Sequence, residues 1–130
     1  MNTPNDLRTP LKRAQGLGSA KDGTGHFLWQ RITALAMLLL GAYLIGLVLS
    51  LGSAGFERAY ITVSNPLNAT VLLAFLIAAF WHAKLGLQVV IEDYIHTPLL
   101  AGIAHFSNIL VCALAAIASV LAVLRIALGS

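Results

Sequence analysis

The sequence predicts an all-α integral membrane protein with three transmembrane helices. Of its 130 residues 58% are apolar and 10% charged, against about 45–50% and about 25% in a soluble domain. Three stretches without Asp, Glu, Lys or Arg are long enough to cross a bilayer, whose hydrocarbon layer of about 30 Å takes about 20 helical residues. Residues 32–56 and 59–83 give 25 such positions each, and residues 94–124 give 31.

The first helix is expected at about 29–54, after a tail over residues 1–26. Gly16, Gly18, Gly23 and Gly25 of that tail read as loop, with Thr24 as a cap. In the second stretch, Ser64-Asn65-Pro66 is a helix start, because proline is tolerated in a first turn where its missing N–H costs nothing. The second helix is then expected at about 66–92. His96-Thr97-Pro98 marks a turn and restart, so the third spans about 98–128. Residues 27–130 form one membrane anchor domain, and 52–64 read as a loop.

Charge orients the spans. Residues 1–31 hold five cations (Arg8, Lys12, Arg13, Lys21, Arg31) and two acids (Asp6, Asp22), which accounts for the net +3 of the whole chain. Positive flanks stay in the cytoplasm. The N-terminus and residues 92–97 are therefore expected inside, and 52–64 and the C-terminus outside. A secretory signal needs a short apolar core ending in a small-residue cleavage site, whereas here a polar segment precedes a full-length span, so the tail is expected to remain on the mature protein. Eight cations are too few for a nucleic-acid footprint. The single cysteine, Cys112, can form no internal disulfide.

Few polar groups are left to carry chemistry. An ionisable residue inside a span costs a few kcal/mol on insertion scales and marks a functional site by default. His82 is the clearest case. At about 100° per residue, Gly86, Val89 and Asp93 return to its face. A glycine one turn from a histidine leaves room for a flat macrocycle, and imidazole is a haem ligand. Taken alone, His82 is open between a satisfied bundle histidine, a haem ligand and part of a proton path. Lys84 points away, and its stem can carry the ammonium toward the inner headgroups. His105 shares a face with Asn108 and Cys112 and reads as structural, being about four residues off the depth of His82. Ala42, Gly46 and Ser50, with Ala118 and Ala122, read as helix-packing faces. The topology also gathers His26, Trp29, Gln30, Arg31, Asp93, Tyr94 and His96 at the inner face, as an interfacial belt or as donors for an amphipathic redox ligand.

The run from His82-Ala-Lys-Leu-Gly86 to Asp93-Tyr94 closely resembles the second-helix motif of the succinate dehydrogenase hydrophobic membrane anchor subunits. Gly23-Thr-Gly25-His26 through Arg31-Ile-Thr33-Ala34 is similar to their entry into helix one. The resemblance implies a helical bundle completed by a partner subunit, with haem b shared between them and His82 as one axial ligand of its iron. It implies Tyr94 and Asp93 at a ubiquinone-reduction site and Arg31 near the haem propionates or the quinone pocket. It further implies a cytochrome b anchor partner, flavoprotein and iron–sulfur subunits tethered to the membrane, and residence in the bacterial inner membrane. One cysteine cannot hold an iron–sulfur cluster of four thiolates, so the chain would not be catalytic alone. A fumarate reductase anchor and a non-redox three-span scaffold are the alternatives.

Overall fold

The computed structural model describes residues 21–129, with side chains from Gly23 onward. The expectations for residues 1–20 and for Ser130 lie outside the described residues. The described residues form four helices: α1 (Lys21–Leu51), α2 (Phe56–Ser64), α3 (Pro66–Tyr94) and α4 (Pro98–Leu128). Among the described residues there is no strand. Three of the four are long and apolar enough to cross a membrane: α1 from Gly23, α3 and α4. The chain is thus all-α and multi-pass.

Two local expectations are corrected. Helix α1 begins at Lys21, so Thr24 lies inside it and does not cap it. Gly23 and Gly25 have ordinary negative φ, and the apolar span that follows propagates the helix back through them despite a cost of about 1 kcal/mol for each relative to alanine. The second correction concerns 52–64. It is a turn followed by helix α2, in which Glu57 sits in the first turn, where it complements the helix dipole. Its apolar residues recur at helical spacing, but the helix has nine residues and is far too short to span.

The termini of the helices follow from their residues. Gly52 ends α1 with a φ of 50°, a left-handed conformation that costs a glycine little. Asn65 caps α3: its side chain accepts from the Leu67 N–H at 3.0 Å, with Pro66 in the first turn. Pro98 opens α4, and Gly129, at φ 72°, closes it by donating its N–H to the carbonyls of Arg125 and Ile126.

Helix α3 is the centre of the arrangement. It packs along both α1 and α4, while α1 and α4 scarcely meet. His82, Phe75 and Gly86 lie within about 40° of one another on the α1 side, whereas Phe80 and Lys84 lie about 160–200° around the helix from His82, on the α4 side. Near the far end, Asn68 of α3 ties three helices together. It accepts from the Tyr43 hydroxyl of α1 at 2.7 Å and donates to the Thr62 carbonyl of α2 at 2.8 Å.

Very little is buried. Ala69, Leu85 and Val123, with Thr33 and Asn108, are the buried residues among those described. The expected small-residue faces do not pack within the chain: Ala42, Gly46, Ser50, Ala118 and Ala122 are exposed, and nothing lies within 4 Å of a Cβ built on Gly46. The close approach of α1 to α3 is instead at Gly41, where an added Cβ would stand 3.3 Å from the Phe75 ring. We therefore expect Gly41→Leu to destabilise the α1–α3 pair by about 1–3 kcal/mol through overpacking, read as a lower thermal midpoint of the detergent-solubilised protein. Gly46→Ala should leave that midpoint unchanged.

Candidate functional site

The antiparallel run of α1 and α3 brings His82 against the first turns of the α1 span. Thr33 and Gln30, three residues apart on α1, share the face that meets it. The Thr33 hydroxyl lies 3.0 Å from His82 Nδ1, and the Gln30 amide nitrogen 3.3 Å from Nε2. Thr33 is 7% exposed, and its hydroxyl donates back to the Trp29 carbonyl at 2.8 Å, with that of Gln30 at 3.2 Å. Both ring nitrogens of an imidazole in the midst of an apolar helix are thus in contact with polar groups. A Cβ on Gly86 would lie 3.6 Å from the Gln30 amide nitrogen, so this carboxamide rests in the gap that the glycine leaves. Two polar atoms nearby on α1 are buried without a partner among the described residues: Gln30 Oε1 and His26 Nε2.

On its other side α3 meets α4 through a second polar contact. The Asn108 side chain, 7% exposed, donates to the main-chain carbonyl of Lys84 at 2.9 Å, and the Cys112 thiol donates to Asn108 Oδ1 at 3.4 Å. The Lys84 ammonium donates to Gln88 Oε1 at 3.0 Å, and Gln88 in turn donates to Glu92 at 2.9 Å. The lysine head is therefore carried along α3 toward the Tyr94 end by an i, i+4 ladder. Because α4 packs on the side of α3 away from His82, His105 does not face His82. Among the described residues His105 makes no hydrogen bond, and no cluster of three His, Cys, Asp or Glu side chains could hold a metal ion. His82 is a single donor.

The start of α1, the end of α3 and the start of α4 share one end of the molecule. Tyr94, 79% exposed, lines a cavity of about 590 Å³ with Ile95, His96, Thr97, Leu100, Ile103 and Ala104, formed where α3 turns into α4. Asp93 is exposed beside it, on the His82 stripe one residue before. Neither side chain has a hydrogen-bond partner among the described residues. Arg31 lies about 100° around α1 from Gln30, exposed, with its guanidinium 5.0 Å over the Phe27 ring. It makes no hydrogen bond to His82, whose partners are Thr33 and Gln30. Trp29 and Trp81 meet edge to face at 6.4 Å.

The sequence had assigned no role to Thr33 and placed Gln30 only in the inner-face group. A signal was present. Thr33 is the sole polar residue between Arg31 and Tyr43, and a lone hydroxyl on a lipid-embedded helix is more economically partnered across an interface than left to the lipid.

The fold and this end of it define a polytopic helical membrane protein with a histidine contacted on both ring nitrogens and an open polar end. The model of the succinate dehydrogenase/fumarate reductase transmembrane subunits matches residues 5–123, and the chain belongs to that family. It is 39% identical over 90 residues to the succinate dehydrogenase hydrophobic membrane anchor subunit of Rickettsia bellii, covering 69% of this chain and 72% of that one. The subunit of the same name from Paracoccus denitrificans is 30% identical over 122 residues, 94% of each chain, and that of Rickettsia conorii 34% over 91 residues, 69% of this chain and 72% of that one. No solved structure matches.

The α3–α4 contact yields a prediction. Asn108→Leu removes the bond to the Lys84 carbonyl, and interhelical hydrogen bonds in membranes contribute about 0.6 kcal/mol on average and up to about 1.7. In a mild-to-denaturing detergent titration the variant's unfolding free energy should be lower by that amount, with its midpoint at a lower denaturant fraction, and Cys112→Ala should lose less.

Proposed function

We propose that this chain is the membrane anchor of a succinate:ubiquinone oxidoreductase of the bacterial inner membrane, contributing an axial ligand to a haem b and part of the quinone-reduction site. The observation that carries the reading is His82: an imidazole in the middle of α3, held on Nδ1 by Thr33, in a chain of this family. The donor chemistry fits haem. A neutral imidazole with one nitrogen tied to a protein oxygen leaves the other for a metal, and the groove over Gly86 is filled only by the Gln30 carboxamide, whose oxygen is unpartnered.

His82, with a histidine of a companion cytochrome b anchor chain, would hold a haem b, which would supply one-electron transfer when bound. The residues of this chain do the rest. His82 would ligate the iron, and Thr33 of α1 holds His82 in place. Tyr94 donates its phenol to a quinone carbonyl, and Asp93 orients the phenol or relays a proton. Arg31, at the same end, supplies a cation for the propionates or the quinone pocket. The flavoprotein and iron–sulfur subunits dock on the cytoplasmic face, where the basic tail and the 92–97 turn lie by the positive-inside rule. The open polar end around Tyr94 then faces the incoming electrons.

His82→Leu in the assembled complex should alter or remove the reduced-minus-oxidised b-type absorption band. Retention of an unaltered band with haem bound would count against axial ligation.

Tyr94→Phe deletes only the hydroxyl. It should lower quinone reduction about five- to over a hundredfold, since an unmet buried acceptor costs about 1–3 kcal/mol and about 1.4 kcal/mol is tenfold in rate. Succinate oxidation with a soluble artificial acceptor should be unchanged. Asp93→Asn should also slow quinone reduction, non-additively with Tyr94→Phe; normal quinone kinetics in both single variants would reject the site.

A further inference from the structure

The contacts of Thr33 determine which nitrogen of His82 carries the proton. A hydroxyl has one proton. The Thr33 oxygen has three partners in reach: the Trp29 carbonyl at 2.8 Å, the Gln30 carbonyl at 3.2 Å and His82 Nδ1 at 3.0 Å. Carbonyls only accept, so the proton goes to the nearest of them; were it given to Nδ1, two oxygens would face each other lone pair to lone pair at 2.8 Å. The Thr33 oxygen therefore presents a lone pair to Nδ1, and Nδ1 is the protonated nitrogen. In a neutral imidazole this leaves Nε2 with its lone pair free to act as a donor.

The surroundings of Nε2 agree. Its neighbour is the Gln30 amide nitrogen, a donor, at a long 3.3 Å. With Gln30 Oε1 unpartnered, this carboxamide is weakly tied and can be displaced from Nε2 at little cost. Thr33, by contrast, is buried and engaged on both sides, and donation to Trp29 polarises its oxygen into a better acceptor. One contact of the imidazole is built to stay and the other to leave.

We propose that Thr33 is a positioning residue for His82: it fixes the Nδ1–H tautomer and turns Nε2 toward the haem iron. The proposal rests on the reading of His82 as a haem ligand. It also assigns Thr33 a tuning role, because an acceptor on the remote N–H raises the basicity of a ligating histidine, and a more basic ligand favours ferric over ferrous iron.

The test uses the assembled complex in membranes and redox titration of the haem b band. Thr33→Val keeps the volume and removes the acceptor, whereas Thr33→Ser keeps the hydroxyl. Thr33→Val should raise the ferrous-to-ferric ratio at fixed ambient potential about threefold to tenfold, an upward shift of about 30–60 mV at about 59 mV per tenfold for one electron. Thr33→Ser should titrate as the unmodified complex does. A side chain that merely fills space would leave the potential of Thr33→Val where it was, and that result overturns the assignment. Where Thr33→Val fails to assemble, Thr33→Ala against Thr33→Ser makes the same comparison, and equal potentials in those two overturn it. His82→Leu separates the two layers: an altered band there with an unmoved potential in Thr33→Val removes the role of Thr33 alone, and an unaltered band removes the ligand reading beneath it.

Discussion

An imidazole placed in the middle of a membrane-spanning helix has an N–H that water cannot reach, and a buried donor left unmet costs about 1–3 kcal/mol. The geometry of this chain is organised around meeting that requirement. Thr33 stands opposite His82 because α1 runs antiparallel to α3 at close range, and that range is set by Gly41 against the Phe75 ring. The bond could not form if α1 were displaced by the width of a side chain. At the opposite end Asn68 fixes the same pair of helices through Tyr43, so that register is held from two points.

Polar contacts join each helix pair here beside van der Waals packing such as that of Phe75 on Gly41. In lipid there is no hydrophobic gain in bringing two leucine faces together, and among the described residues only three apolar ones are buried. The Thr33–His82 and Asn108–Lys84 contacts lie on opposite sides of α3, each joining it to one neighbour. Lys84 shows how a charge is accommodated at the same depth. Its carbonyl serves the helix pair while its ammonium is led by Gln88 and Glu92 toward the headgroup region.

Much of the architecture was legible in the sequence, because the membrane imposes a length and a polarity that few other settings share. The starts at Pro66 and Pro98 were announced by the residues before them, and the uncharged stretches located all three spanning helices. Helix α2 was hidden because nine residues leave no signature at the length of a span, and Gly23 and Gly25 concealed the early start of α1, which depends on propagation from the apolar segment. His82 stood out as a polar residue that the bilayer should have excluded. Its partners did not, since pairing across two helices depends on their relative register and rotation, which no single-helix pattern records. Within the chain Gly41 is the position in contact, one residue from the stripe of Ala42, Gly46 and Ser50, which is left exposed on the helix surface.

Three helices side by side, with the outer two scarcely touching, make a slab and not a bundle. Such a slab presents two broad apolar sides, and a newly inserted copy has no means of closing on itself to cover them. The stability of each copy would then rise, by mass action on assembly, with the supply of complementary helices. The same shape that leaves His82 only half-buried would thus tie the stability of this chain to the supply of its neighbours.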